Sequence, residues 1–271
     1  MTRFFRLFFL SLILVPITVL SETALAPMAE PVAAEPGMTP PPFPTSAVAD
    51  TEAAAAPKPV GPHGQHDPHS TLDPERLIRV ALQHESEGRL ELALKTLAEG
   101  IDKFPNSAEL YAVRGSLRLQ MQQVSAALSD LEKAAQLDPQ DAMIRVNRAQ
   151  AYRSFGRYDE AMKDLDIAVE GDPNLLPARF NRGALLYAGG DFEGALLDFD
   201  QCIAIDPHAS APYFNRGSTY WELSRSDEAM ADMERFIELA DSDEWKQVAG
   251  DLLKNWKIAL EAEAKAAKSG S

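Results

Sequence analysis

Three histidines, His63, His66 and His69, follow one another at steps of three with Asp67 among them. Imidazoles on one short stretch bind Zn²⁺, Cu²⁺ or Ni²⁺ weakly. No H-E-x-x-H pattern accompanies them, and their spacing fits no ordered catalytic site. The end of a polar linker is the plainer reading; a metal-binding envelope protein is the alternative. The single cysteine, Cys202, excludes an intrachain disulfide framework and a thiolate zinc cage. No nucleophile elbow, phosphate-cradling loop or dinucleotide-binding turn is found. The sequence therefore predicts no catalytic residue, no cofactor and no enzyme. What remains is the chemistry of recognition. Asn147, Asn181 and Asn215 carry amides that both donate and accept. Arg114, Arg148, Arg182 and Arg216 are each followed 16 residues later by Asp130, Asp164, Asp198 and Asp232. Charges near a packing face need partners, so these columns predict an Arg–Asp ladder that fixes register more than it adds stability.

The elements that must position these residues are set by a step of 34. That step links Asn147, Asn181 and Asn215, and it links Pro105, Pro139, Pro173 and Pro207. It also links Ala93, Ala127, Ala161, Ala195 and Ala229, while Gly88, Gly156 and Gly190 keep the same frame. Glycine supplies the left-handed residue that ends a helix. Proline disfavours helix in the residue before it, so Asp138, Asp172 and Asp206 mark a second kind of helix end. The pattern is one of helix pairs.

These columns resemble the tetratricopeptide repeat family, with a small residue at position 8, glycine at 15, alanine at 20 and 27, and proline at 32. In that frame the units are 74–107, 108–141, 142–175, 176–209 and 210–243. The resemblance implies an all-α, right-handed α-solenoid of about five helix-turn-helix units. Small residues at position 8 (Gly115, Ala149, Gly183, Gly217) let paired helices approach, and Cys202 at position 27 reads as a buried spacer. Trp245, Val248, Leu252, Trp256 and Leu260 form an apolar stripe. It predicts a capping helix over 244–262, with a disordered tail over 263–271.

The resemblance further implies a concave groove lined by the first helix of each unit, holding a peptide or helix of a protein partner. Carried across, the peptide-binding residues are Asn147, Asn181 and Asn215 as an amide ladder, with Phe180, Tyr187, Phe214 and Trp221 as apolar anchors. Val146, Gln150 and Arg153 stand beside them. The two-carboxylate clamp of chaperone-binding members is not matched, because its places hold Val146, Gln150, Asn181, Ala211 and Asn215.

The chain of 271 residues carries a net charge of −15, which disfavours nucleic acid as a partner. Arg3 and Arg6 precede an uncharged apolar run from Leu7 to Leu20, the pattern of a signal peptide over 1–26. The cleavage site is open between Ala26 and Ser21, since Pro27 follows the former. An uncleaved anchor, the only expected contact with a membrane, is the alternative. Residues 27–71, rich in proline and alanine, read as a disordered linker. The expectation is an exported scaffold of the bacterial periplasm that binds another protein. Self-association into a larger assembly is a further reading.

Overall fold

The computed structural model describes residues 73–269, and these fold into eleven α-helices with no strand among them. The expected signal segment, the linker and the cluster His63, His66 and His69 lie outside the described residues. Ten helices form five antiparallel pairs: α1 (Pro74–Ser86) with α2 (Leu90–Lys103), α3 (Ala108–Gln120) with α4 (Val124–Leu137), α5 (Ala142–Ser154) with α6 (Tyr158–Gly171), α7 (Leu176–Ala188) with α8 (Phe192–Ile205), and α9 (Ser210–Glu222) with α10 (Ser226–Leu239). The last, α11, spans Asp243–Ser269.

Local sequence sets each boundary. Asp73, Ser107 and Asp141 accept hydrogen bonds from the backbone N–H three residues on, capping α1, α3 and α5. The first helix of every pair ends through one residue at positive φ, and the N–H that follows reaches back five residues. Arg157 N bonds the Tyr152 carbonyl at 2.9 Å, and Asp191 N bonds that of Leu186 at 2.9 Å. Gly88, Gly156 and Gly190 take this conformation freely, whereas Gln122 (φ 63°) and Ser224 (φ 61°) must hold it with a side chain. Three second helices, α4, α6 and α8, stop at Asp-Pro. Asp138, Asp172 and Asp206 then accept a hydrogen bond from the N–H two residues later, closing the turn.

Packing within a pair is close because position 8 is small. A Cβ added at Gly183 would lie 2.9 Å from the Phe199 ring and 3.1 Å from Asp198 Cβ; one at Gly115 would lie 2.7 Å from Leu131 Cγ. Leu97, Leu131, Leu165, Phe199 and Met233 fill the spaces behind, all fully buried. Cys202 is likewise buried, and burial pushes its thiol up to about 12, the state of an inert spacer. First helices touch the next pair's first helix, α3 to α5 and α5 to α7 among them, and second helices make no comparable contact with one another. The first helices therefore form the inner wall of the curve, and the second helices its outside.

Two expectations for the C-terminus need correction. Helix α11 does not stop at 262; it continues to Ser269 through a run of Ala, Glu and Lys. These are strong helix formers that extend a helix without packing. Its buried face includes Trp245 and Trp256 as expected, with Leu252 packed against the same core, but departs from the stripe between them. Trp245, Ala249, Leu253 and Trp256 are buried, while Val248 is 39% exposed. Ala249 is fully buried, and a search for large apolar residues passes over it.

Candidate functional site

The predicted Arg–Asp ladder is present in full. Arg114 grips Asp130 with Nε at 2.8 Å and Nη2 at 2.7 Å, and the same fork joins Arg148 to Asp164, Arg182 to Asp198 and Arg216 to Asp232. Each pair crosses from a first helix to its own second helix. Hydrogen bonding to aspartate raises the Arg114, Arg148 and Arg182 pKa above the usual range, outweighing burial. At Arg216 burial opposes the charge, and hydrogen bonds to Asp232 and Asp200 outweigh it.

Further members of the network were not expected from the repeat columns. Arg118 adds a 2.6 Å bond to Asp130, Arg145 reaches Asp164 at 3.4 Å, and Arg179 reaches Asp198 at 3.2 Å. Arg182 and Arg216 also bridge backwards to Asp166 and Asp200 of the preceding pair, at 3.1 and 2.6 Å. The signal for these bridges was a fixed spacing: each aspartate lies 16 residues before its arginine.

On the inner wall the three asparagines are not equivalent. Asn147 is partly exposed, and Asn215 is 3% exposed; neither amide makes a hydrogen bond among the described residues. Asn181 is committed. Its Nδ2 donates to the Pro177 carbonyl at 2.7 Å, and its Oδ1 accepts from Arg153 Nη1 at 3.5 Å. The amide ladder expected over Asn147, Asn181 and Asn215 is thus interrupted at its centre, because a cation on the neighbouring helix takes up the middle acceptor.

The aromatic residues also divide. Phe180 (5% exposed) packs against Phe199, and Phe214 (4%) meets Phe236 and Trp245 edge-on. Both serve the core, and the expectation that they anchor a groove ligand is revised. The large inward side chain in each case meets a second helix or the cap before it reaches the groove. Tyr187 is half-buried with its ring edge-on to Phe192, and burial raises its hydroxyl pKa. Trp221 is half-buried and lies flat on Trp256 of α11, centroids 4.6 Å apart at 7°. The cap thus covers one face of the last inner-wall aromatic.

Arg153 on α5 is 7% exposed. Unlike the ladder arginines it has no carboxylate partner among the described residues, and burial lowers its pKa to about 10. Sequence placed it on the groove side but not under cover. No group of three or more potential metal ligands occurs among the described residues, and none of their helices is long and apolar enough to cross a membrane.

This architecture is an α-solenoid built by stacking helix pairs. The profile of the tetratricopeptide repeat family matches residues 113–175 and 211–243. Over these residues the chain is similar to tetratricopeptide repeat proteins. TTC0263, a thermophilic repeat protein of Thermus thermophilus, is similar in fold (TM-score 0.57) at 20% identity, over 67% of this chain and 99% of that one. YrrB, described as a repeat protein with an unusual peptide-binding site, shares 22% identity at TM-score 0.51, over 66% and 92%. MamA from Desulfovibrio magneticus RS-1 shares 17% at 0.54, over 62% and 97%.

Proposed function

We propose that this protein is an exported adaptor that holds an extended peptide or a helix of a partner protein against the inner wall of its solenoid. The observation that carries this reading is the wall itself. Five first helices run side by side, with uncommitted amides at Asn147 and Asn215 and the half-buried rings of Tyr187 and Trp221 between and beside them. An amide that donates and accepts pairs with a peptide backbone whatever the ligand's side chains. A half-buried aromatic supplies apolar contact at low entropic cost. The peptide-binding site named for YrrB supports a similar use of this fold. Export rests on Arg3, Arg6 and the apolar run after them, and the periplasm is the compartment these residues fit best.

Photo-crosslinking from position 150 in cells, followed by affinity capture, identifies the occupant. The double variant Asn147→Ala, Tyr187→Ala is expected to weaken capture at least about tenfold, the effect of losing roughly 1.4 kcal/mol. Undiminished capture by that variant, with its helicity intact, overturns the groove. Fractionation of cells expressing the full chain tests the address; recovery with the cytoplasm overturns export.

A further inference from the structure

We propose that Arg153, held by Asn181, is the receptor for a carboxylate carried by the groove ligand, either an acidic side chain or a chain terminus. The inference rests on the groove reading above and names the chemistry its occupant must bring.

Every arginine of the ladder finds its counter-charge, whereas Arg153 finds none among the described residues. A guanidinium offers five N–H donors. Arg153 uses one, in a long bond of 3.5 Å to Asn181 Oδ1, although it is only 7% exposed to solvent. A buried, unpaired charge costs stability, and its lowered pKa of about 10 reports that cost while leaving it protonated at neutral pH. Asn181 is itself fixed, since its Nδ2 is tied to the Pro177 carbonyl at 2.7 Å, so its oxygen must face the guanidinium. The remaining nitrogens of Arg153 are not fully sealed, unlike Arg118 Nε and Arg145 Nε. The residue lies on α5, one of the inner-wall helices, and bonds to the next of them, α7. It is a cation prepared at the seam of the groove with its partner missing.

Charge favours carboxylate over phosphate. The guanidinium fork pairs bidentately with either, so the balance of charge decides. A dianion would need a cluster of cations turned toward it, and the chain as a whole carries a net charge of −15.

The test uses immobilised dodecapeptides in matched sets, probed with the full chain. One set carries a single internal glutamate with both ends capped, against its glutamine twin; a second carries a free C-terminal carboxylate against its amide; a third carries phosphoserine. The carboxylate form in at least one of the first two sets is expected to be retained about tenfold more than its neutral twin. Which set shows the preference identifies the source. Arg153→Met is expected to erase it, and Arg153→Gln, which keeps a donor toward Asn181, to erase it as well. Equal retention of charged and neutral twins overturns the carboxylate receptor while leaving the groove standing. So does a preference that survives both substitutions, or a stronger preference for phosphoserine. Failure to retain any peptide overturns both readings.

Discussion

Arg182 and Arg153 stand on adjacent inner-wall helices and are both largely withdrawn from water, yet they answer to opposite constraints. Arg182 lies in the seam between a first and a second helix, where Asp198 meets it with two bonds of 2.7 and 2.8 Å. Arg153 lies between two first helices, where, among the described residues, only an amide oxygen at 3.5 Å meets it. Burial acts on both charges, and the presence or absence of a carboxylate decides the sign: hydrogen bonding raises Arg182, while desolvation lowers Arg153. The comparison separates charges that assemble the scaffold from one that the scaffold holds at a cost.

The largest effect should come from breaking the seam. Arg216 is the only ion-pair partner found for Asp232 among the described residues, so Arg216→Met strands a buried carboxylate. A loss of about 3–5 kcal/mol is expected by urea denaturation. A loss under about 1 kcal/mol, the range of an exposed pair, would erase the distinction between the two regions. Gly183→Ala tests the close approach on which the seam depends, since its Cβ would press on Phe199 and Asp198. It should cost about 1–3 kcal/mol, read as a lower thermal midpoint. Arg153→Met is the counter-case. Removing an unpaired buried charge should leave stability unchanged or raise it by about 1 kcal/mol. A loss as large as that of Arg216→Met would make Arg153 one more structural arginine. The smallest change touches neither region. Gln122→Gly and Ser224→Gly relieve positive φ in the turns, and each should add about 0.5–1 kcal/mol in the same denaturation assay.

The fold was legible because its constraints repeat. Gly88, Gly156 and Gly190 announced the turns, Asp-Pro the second helix ends, and the step of 34 the pairing of Arg with Asp. Periodicity reveals what every unit must do and hides what one unit does alone. Asn181 shares its column with Asn147 and Asn215, so nothing in the column foretold that its amide would be tied to Pro177 and turned toward Arg153. Phe180 and Phe214 occupy groove positions by register, but whether such a ring enters the groove or the core depends on Phe199, Phe236 and Trp245, supplied by other elements. The stripe along α11 was right at Trp245 and Trp256 but missed Ala249, which is fully buried and too small to be counted among large apolar residues.

The backward bridges from Arg182 to Asp166 and from Arg216 to Asp200 both lie in the C-terminal half of the spiral, as does the stack of Trp221 on Trp256. In an array whose units feel only their neighbours, such ties grade mechanical compliance along the length. Drawn apart by its two ends in a force-extension measurement, the molecule should peel from the α1–α2 pair inward, with the last two pairs and their cap yielding at the highest force.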